Sequence, residues 1–501
     1  MSLLIKNVQI LGGETKFPDR ADLFVVGDRI SAIGNFTEKK AKRVIDGQGA
    51  YLAPGFIDVN TDSDHYLSVF DNPSQDDFLR QGVTTIIGGH CGSSLAPLLY
   101  GGLESIQKWA DTRKAIVNWH TMGEFLAFLD RKPLAVNFLT LVGHSTIRRA
   151  MIGEQLRNLT QNELIVFGET LRRALAEGGA GLSTGLAYVH SRGTPYSEIK
   201  FLAGIAKERN GVYSTHLRTS GADLGASIDE TVRIASETGI TTLISHFMPL
   251  VGAEKEYEAA LELLGGLPRE VNLRFDLYPF ETSVLPLYAF LPLWVQNGGA
   301  DVMVSNIEDG WMRERIMKDF VPINPKNFVI AHAVGNPALH GLSLVDLMEH
   351  YSVADYKSAL MRLMLSTKLR ASIFYKNINT DLIRKGITHP RSFVSSNSAS
   401  LLESRKFEQP ERASKTFTRF LELVVSENIM PLEDAIRKIT AEPAQAFRLK
   451  NRGSIREGNI ADLVCFRDIE VKATVVNGEV AFENGVFQKK FSGKALRYYG
   501  N

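Results

Sequence analysis

Short apolar runs alternate with amphipathic stretches through the middle of this 501-residue chain, and this pattern most constrains its fold. Residues 162–177 and 229–238, for example, carry apolar side chains at helical spacing. Strands that alternate with such helices are typical of a mainly parallel sheet covered by helices. The number of repeats favours a closed (β/α)8 barrel over an open doubly wound sheet. Nine runs qualify as buried strands, one more than the barrel takes: 51–58, 83–88, 134–143, 180–186, 211–217, 241–247, 271–277, 328–331 and 392–395.

The two ends of the chain differ from this middle. Residues 3–47 hold short β-type runs separated by Gly, Asp and Asn turn signals, and the last fifty residues have the same pattern. Asn477 and Gly478, between two β-type runs, are a strong hairpin signal. We therefore predict a small β-sandwich domain built from residues 1–52 and 453–501, with two separate edge hairpins as the alternative.

The barrel domain is predicted over residues 53–452, with an insertion at about 280–388 that is longer than one crossover helix needs. The insertion contains an aromatic, apolar stretch, LPLYAFLPLWVQNGG. We interpret this stretch as a lid near the barrel mouth. An ordinary helical insertion packed against the flank of the barrel is the alternative.

Charge and composition exclude several classes of partner. The 57 Lys and Arg residues and 56 Asp and Glu residues are spread along the chain, which gives no basic stripe for nucleic acid. No signal peptide is recognisable and no apolar run is long enough to cross a membrane, so we expect a cytoplasmic protein. Two cysteines do not suggest a disulfide framework. A small-molecule substrate is the expected partner, and a homo-oligomer is left open.

Polar residues follow several of the predicted strands, where the ends of barrel strands converge on the axis. A lone His in an apolar run is more often a hydrogen-bonded core residue than a ligand, but several at equivalent strand ends suggest a site. Cys91, His216 and His246 together suit Zn²⁺ and leave a fourth position open, as in catalytic zinc sites. The strand-end residues are Asp58, Asn60, Asp62, His90, Cys91, His144, His216 and His246.

Ordered stretches along nearly the whole chain match one family. They are APGFID (53–58), QGVTTIIGGHCGSSLAP (81–97), LVGHSTIRRAMIG (141–153), GLSTGLAY (181–188), YSTHLRTSG (213–221), ETGITTLISH (237–246), DLYPF (276–280), LPLWVQNGG (291–299) and the tail at 439–466. With these stretches the chain resembles the N-acyl-D-amino-acid deacylases (D-aminoacylases) of the amidohydrolase superfamily.

The resemblance implies a (β/α)8 barrel with a β-sandwich from both termini, and a zinc-dependent hydrolysis of amide bonds. It also implies one tightly held zinc on Cys91, His216 and His246. The bridging carboxylated Lys of hydantoinase-like relatives would fall near Ser183 or Thr184, where this chain has no Lys.

The chain departs from the family pattern at the metal-binding pair and at the catalytic acid. Most of the superfamily has FIDxHxH after the first strand, whereas this chain has FIDVNTD, with Asn60 and Asp62 in the two His places. Oxygen ligands hold zinc more weakly, which disfavours a second zinc. The catalytic Asp of the family corresponds here to Asn397 in VSSNSAS. An amide cannot accept and return a proton as a carboxylate does.

The substrate-binding pattern is also altered. The Lys that follows the family's last metal-binding His is Met248 in this chain, and the family's HPR survives only as residues 409–412, QPER. Tyr278 matches a substrate-contacting Tyr, and His144 lies in a family motif. Arg218, Arg391 and Arg412 are our candidates for the cation that holds a substrate carboxylate in place of that Lys.

Three hypotheses fit this mixture. The first is a zinc-dependent amide hydrolase in which Asp62, or else Asp64 or Asp276, acts as the base. The second is a different reaction on the same scaffold, such as a lyase, an isomerase or an acyl transferase. The third is a catalytically silent paralogue that binds metal or a partner.

Overall fold

The computed structural model describes residues 2–12, 20–100, 102–106, 110, 112, 117–296 and 299–498. Residues 1, 13–19 and 499–501 of the predicted terminal domain, and residues 297 and 298 of the predicted insertion, lie outside this description.

The strands, in chain order, are β1 Ser2–Ile10, β2 Ala21–Val26, β3 Arg29–Gly34, β4 Arg43–Asp46, β5 Tyr51–Pro54, β6 Phe56–Asp58, β7 Val83–Gly88, β8 Asn137–Thr140, β9 Val142–Gly143, β10 Gly181–Gly185, β11 Val212–His216, β12 Thr241–Ile244, β13 Leu273–Leu277, β14 Thr282–Pro286, β15 Phe328–Ala333, β16 Ala371–Lys376, β17 Ser392–Val394, β18 Leu463–Arg467, β19 Glu470–Val476, β20 Glu479–Glu483 and β21 Val486–Phe487.

The α-helices are α1 Ser68–Asp71, α2 Asp76–Leu79, α3 Met122–Leu129, α4 His144–Ile152, α5 Gln161–Ala176, α6 Val189–Arg192, α7 Tyr196–Glu208, α8 Leu224–Thr238, α9 Glu254–Gly265, α10 Gly299–Glu308, α11 Gly310–Asp319, α12 Leu344–His350, α13 Tyr356–Thr367, α14 Thr380–Thr388, α15 Arg412–Glu427, α16 Leu432–Ile439 and α17 Ala441–Ala446.

Parallel strands form the barrel. Strands β6, β7 and β8 make one sheet, and β9–β13 with β17 make a second. At one seam β8 and β9 are separated only by Leu141, whose N–H donates to the carbonyl of Gly88 at 3.0 Å. At the other seam the N–H of Asn397 donates to the carbonyl of Asn60 at 2.9 Å. The two sheets therefore join at both edges, and the predicted (β/α)8 fold is confirmed.

Of the nine predicted strand runs, one divides between two sheets and one lies outside the barrel. The run 51–58 divides at Gly55, so that β5 joins the terminal sheet and β6 begins the barrel. A Cβ at Gly55 would lie 2.2 Å from Oγ1 of Thr84, so only glycine allows the next strand this close. The run 328–331 belongs to β15, outside the barrel, and is the surplus strand.

The two ends of the chain meet in one nine-stranded sheet. Its order is β21-β20-β19-β18-β5-β1-β2-β3, with β4 beside β1. Strand β5 pairs with β1 on one side and with β18 on the other. Side chains from both ends share one hydrophobic cluster, which includes Leu3, Val25, Leu52, Leu463 and Val475.

The chain leaves the barrel after β13 and returns at α14. The segment between them forms an antiparallel sheet in the order β14-β16-β15, which packs with α10–α13 around a hydrophobic cluster of its own that includes Leu287, Phe328, Leu347, Leu360 and Ile373. Because it leaves from the C-terminal end of β13, the insertion starts at the end of the barrel that carries the predicted site. Its action as a lid stays a prediction.

Within the described residues, no helix combines the length and the apolar character that crossing a membrane would demand. Cys91 and Cys465 are both buried free thiols.

Candidate metal centre and active site

Three potential metal ligands meet at the C-terminal ends of barrel strands. Cys91 follows β7, His216 is the last residue of β11, and His246 follows β12. Cys91 Sγ lies 3.7 Å from His216 Nδ1 and 3.4 Å from His246 Nε2. The ligand atoms of all three residues lie within 4.8 Å of one another. The structure therefore brings together the three residues predicted as zinc ligands.

The spacing of these atoms fits a tetrahedral zinc. With a Zn–S bond of about 2.3 Å and a Zn–N bond of about 2.0–2.1 Å, a tetrahedral angle places the sulfur and the nitrogen about 3.5 Å apart. The two observed separations, 3.4 and 3.7 Å, lie on either side of that value. One thiolate and two imidazoles are also a donor set that zinc prefers, and three protein ligands leave a fourth position open.

The backbone at two of the ligands is strained. Cys91 has a φ of 53° and His246 a φ of 38°, both in the left-handed region that non-glycine residues rarely adopt. Such residues cost about 1–3 kcal/mol each and persist where the surroundings fix them. Here the N–H of His246 donates to Asp276 Oδ1 at 3.0 Å, and the N–H of Gly92 donates to Ser183 Oγ at 3.1 Å.

The electrostatics at the cluster suit metal binding. Burial lowers the pKa of His246 to about 4, so the ring is neutral at pH 7, the form that binds a metal. The Tyr188 ring lies 5.0 Å from the His216 ring, measured between centroids. Burial, and then the charge of nearby Cys91, raise the pKa of Tyr188 well above its usual value, so its hydroxyl keeps its proton. Tyr188 was not among the predicted site residues; the family stretch GLSTGLAY was the signal that contained it.

Asp62 and His65 form a hydrogen-bonded pair on the segment that follows β6. His65 Nδ1 lies 2.9 Å from Asp62 Oδ1, and His65 Nε2 lies 3.1 Å from the carbonyl oxygen of Ser93. Burial alone would raise the pKa of Asp62, but the hydrogen bond and charge of His65, with smaller contributions from Arg412 and His246, lower it. Asp62 is therefore ionised and lies within electrostatic reach of a candidate metal ligand.

Two other carboxylates lie fully buried at this end of the barrel. Asp276 accepts hydrogen bonds from the N–H of His246 at 3.0 Å and from the hydroxyl of Ser395 at 2.5 Å. Asp58 accepts one from the N–H of Ser396 at 3.1 Å. Burial raises the pKa of Asp58 to about 7 and that of Asp276 to about 6. Both carboxylates hold backbone groups of the site in place.

Asn60 and Asp64 are buried on the same segment as Asp62. Asn60 Nδ2 donates to Asp276 Oδ1 at 3.2 Å, and its Oδ1 lacks a hydrogen-bond partner in the described part of the chain. Asp64 Oδ2 accepts the N–H of Gly89 at 2.7 Å, and burial raises the pKa of Asp64. Of the three carboxylates considered as the base, Asp62 is the most exposed, with 13% of its side chain accessible.

Arg412 is a buried cation beside Tyr278. Its side chain donates to the carbonyl oxygens of Ser396 at 2.9 Å, Thr282 at 3.0 Å and Asn397 at 3.1 Å. Its guanidinium lies 4.5 Å from the centroid of the Tyr278 ring. Among the residues with described structure, no carboxylate forms a salt bridge with it, although it is only 3% exposed. In the sequence, this residue was indicated by the stretch QPER at 409–412, which corresponds to the family's HPR.

Asn397 lies in the turn after β17, between the barrel seam and Arg412. Its φ is 43°, its N–H donates to Asn60, and its carbonyl accepts from Arg412. Asn and Asp both tolerate this left-handed backbone, so the conformation does not explain the absence of a carboxylate at this position.

Other predicted substrate-binding residues have structural partners. Arg218 forms a double salt bridge with Glu230 of α8, at 2.8 and 3.1 Å. Met248 is buried in the main hydrophobic cluster. Arg391 lies at the opposite end of the strands, where it donates to the carbonyl of Val271 at 2.7 Å before β13 begins. Arg391 therefore does not reach the site.

His144 is buried at the start of α4 and bonds away from the candidate metal cluster. Its Nε2 lies 2.8 Å from Glu198 Oε1 of α7, and its ring lies 5.3 Å from that of Phe167 on α5. Arg148 shares the same carboxylate oxygen at 3.2 Å. These contacts favour a structural role, and binding of substrate by His144 stays a prediction.

Replacing His144 with alanine tests that prediction. We expect a lower Tm, because a buried hydrogen bond to a charged group contributes about 1.5–3 kcal/mol. Glu198 keeps Arg148 as a partner, so the variant should fold and bind metal to the same extent as the wild-type protein. Thermal unfolding followed by circular dichroism, zinc content and KM check this result. A raised KM with an unchanged Tm would instead support substrate binding.

Comparison with known proteins agrees with the motifs. The amidohydrolase family model matches residues 338–481. The chain is 26% identical over 519 residues to D-aminoacylase of Alcaligenes xylosoxydans xylosoxydans, which covers 99% of this chain and 97% of the relative. It is 28% identical over 462 residues to N-acyl-D-aspartate deacylase of the same organism, with 91% and 83% covered.

Solved structures match over the same length. N-acyl-D-glutamate deacylase from Bordetella bronchiseptica, complexed with zinc and a phosphonate inhibitor that mimics the tetrahedral intermediate of the reaction, superposes with a TM-score of 0.81 at 25% identity. A crystal structure of D-aminoacylase superposes with a TM-score of 0.79 at 25% identity. Both matches cover 99% of each chain. The resemblance drawn from the motifs is therefore confirmed.

Proposed function

We propose that this chain is a zinc-dependent hydrolase that cleaves the amide bond of a small N-acyl amino acid. It belongs to the N-acyl-D-amino-acid deacylase family of the amidohydrolase superfamily. The observation that carries the proposal is the cluster of Cys91, His216 and His246 at zinc spacing. The ionised, partly exposed carboxylate of Asp62 lies within electrostatic reach of it. The deacylase activities of the relatives support the choice of an amide substrate.

Each group of the site has a role in this reaction. Zinc held by the three ligands would supply a Lewis acid that polarises the scissile carbonyl and lowers the pKa of a water molecule. Asp62 accepts a proton from the attacking water as a bond forms between the oxygen of that water and the carbonyl carbon. Asp62 then returns that proton to the amine nitrogen as the C–N bond breaks, which yields a carboxylic acid and a free amine.

Arg412 is the cation best placed to hold the substrate carboxylate. It is buried beside Tyr278, and its described hydrogen bonds are all to carbonyl oxygens, so no carboxylate is hydrogen-bonded to it among the described residues. A buried guanidinium is favourable when an anion accompanies it, and a carboxylate can be bound through two parallel hydrogen bonds. Arg412 would thus replace the Lys that this chain lacks at Met248.

Asn397 orients neighbours rather than moving protons. Its side-chain amide cannot act as a base, but its main chain joins Asn60 to Arg412 across the barrel seam. The base role therefore passes to Asp62 in this proposal.

Metal analysis together with a substrate panel tests the proposed function. The purified protein is analysed for zinc, iron and manganese and then assayed with N-acetyl and N-formyl derivatives of D- and L-amino acids. We expect one zinc per chain and turnover of at least one compound. Zinc without turnover would favour a different reaction, and a protein without any metal would contradict the catalytic proposal.

Replacing Arg412 with lysine is expected to raise KM about 10-fold or more for N-acyl amino acids, because the planar two-pronged donor is lost while the charge is kept. Arg391→Lys is a matched control, since Arg391 also donates to carbonyl oxygens but at the opposite end of the barrel. The control should lower Tm and leave KM unchanged. Equal KM effects in the two variants would contradict the assignment of Arg412.

A further inference from the structure

We propose that His65 is a protonated positioning residue. It donates a hydrogen bond to one carboxylate oxygen of Asp62 and leaves the other oxygen free to accept a proton in the site. The catalytic consequence of this arrangement rests on the proposed function. The protonation state of His65 does not, and it can be measured on its own.

The hydrogen-bond partners of the His65 ring require an additional proton. Nε2 faces the carbonyl oxygen of Ser93 at 3.1 Å, and a carbonyl oxygen can only accept, so Nε2 carries a hydrogen. Nδ1 faces Asp62 Oδ1 at 2.9 Å. Because the pKa of Asp62 is lowered, its carboxylate is ionised and can only accept. A ring that donates from Nε2 and also bonds through Nδ1 to an ionised carboxylate holds both protons as an imidazolium.

The local backbone fixes this pairing. The N–H of Tyr66 donates to the carbonyl of Asp62 at 3.0 Å, so residues 62–66 form one helix-like turn. Side chains three residues apart lie on the same side of such a turn, which brings Asp62 and His65 together. His65 is fully buried, whereas 13% of the Asp62 side chain is exposed. His65 therefore lies behind Asp62, and Asp62 is the member of the pair that substrate can reach.

The neighbouring carboxylates show what His65 contributes. Asp58 and Asp276 are buried at the same end of the barrel without an imidazolium partner, and burial raises their pKa to about 7 and about 6. Burial acts on Asp62 in the same sense, but the hydrogen bond and the charge of His65 turn its pKa downward. His65 in turn has a raised pKa, because Asp64 and Asp62 outweigh the effect of its burial.

Other titratable groups also face the pair and set the background against which His65 acts. Those with an electrostatic effect on one member or the other, or affected by it, are Asp64, Tyr66, His90, Tyr188, His246, Asp276 and Arg412. Asp64 Oδ2 lies 4.0 Å from His65 Nε2 and adds a second negative charge on the far side of the ring. Two carboxylates around one ring favour the imidazolium.

Nitrogen NMR of the zinc-loaded protein labelled with ¹⁵N-histidine tests the protonation state directly. The chain has 11 histidines, and His65→Gln identifies the His65 signals by their absence. We expect both ring nitrogens of His65 to carry protons at pH 7 and the imidazolium to persist above the usual titration range of histidine. Asp62→Asn should return the ring to a neutral form near pH 7. A neutral His65 ring at pH 7 in the wild-type protein would overturn the proposal.

Kinetics test the consequence for Asp62. In His65→Gln we expect kcat to fall about 10- to 100-fold with KM unchanged, the same range as for the loss of a group that hydrogen-bonds to a metal ligand and orients it. Without the positive ring the pKa of Asp62 rises, so the acid limb of kcat/KM should move to higher pH. An unchanged kcat and an unchanged acid limb would overturn the positioning role.

Two further variants separate this role from general destabilisation. His389→Gln changes a half-buried histidine at the other end of the strands and should lower Tm without moving the acid limb. In an Asp62→Asn background, His65→Gln should cost no further activity, since its effect acts through Asp62. If the wild-type protein turns over no N-acyl amino acid, the proposed function fails, and the NMR result still decides the state of His65.

Discussion

Replacing Cys91 with alanine is expected to remove the bound zinc and the turnover together while the barrel stays folded. The thiolate is one of three ligands. Even the loss of a group that only hydrogen-bonds to a ligand weakens metal binding by about 10- to 100-fold, so we expect the zinc affinity of Cys91→Ala to fall by more than about 10²-fold. Activity should fall by about 10³-fold or more, since the metal contributes several kcal/mol to the reaction. Elemental analysis and the N-acyl amino acid assay measure both effects.

Cys465 provides a matched control for this variant. It is the other buried free thiol of the chain and lies on β18 of the terminal sheet, opposite Leu52 and Ala473. Burial raises its pKa to about 11, so it stays a neutral thiol. Cys465→Ala should keep its zinc and its kcat and lose some thermal stability from the small cavity. A Cys91→Ala protein that kept a full complement of zinc would show that the metal binds elsewhere.

The fold followed from hydrophobic pattern because the barrel strands are buried on both faces. Seven of the nine predicted runs overlap barrel strands as predicted, and the alternation with helices indicated a parallel sheet. The run 328–331 was assigned to the barrel wrongly, because an apolar run of that length fits any covered strand, including β15 of the insertion. The run 51–58 contains two strands of different sheets, and the strand pairing places their division at Gly55, which packs closely against Thr84.

The metal ligands could be located from sequence because the strand-end rule of barrels needs only the order of strands and the residues that follow them. The partners of charged groups could not. Glu198 lies 54 residues beyond His144, and Glu230 lies 12 residues beyond Arg218. Both glutamates are on helices, so each pairing depends on how a helix packs against the barrel. Arg391 is different, because it directly precedes β17 and the same strand-end rule places it at the opposite end of the barrel from the site.

The structure also changes how the loss of the family's catalytic Asp is understood. With Asn397 in that place, the chain lacks the usual base, and three carboxylates remained candidates. Asp276 and Asp64 are buried, and each accepts a hydrogen bond from a backbone N–H group. Asp62 differs because His65 holds it ionised and it keeps some exposure. A His three residues after an Asp was visible in the sequence, but its significance depends on the turn that brings them together.

Asp62→Asn is accordingly expected to lower kcat about 10²- to 10⁴-fold, the usual contribution of a general base. The amide keeps the size of the side chain, and Asp62 is not one of the three zinc ligands, so zinc content should be unchanged. Asp64→Asn, which alters a buried carboxylate two residues away, should mainly lower Tm. If the protein is a catalytically silent paralogue, neither the wild-type protein nor any variant should show activity. If Asp62→Asn kept wild-type kcat while Asp64→Asn or Asp276→Asn lost it with zinc still bound, the base would be the other carboxylate, and His65 would have no catalytic role to support.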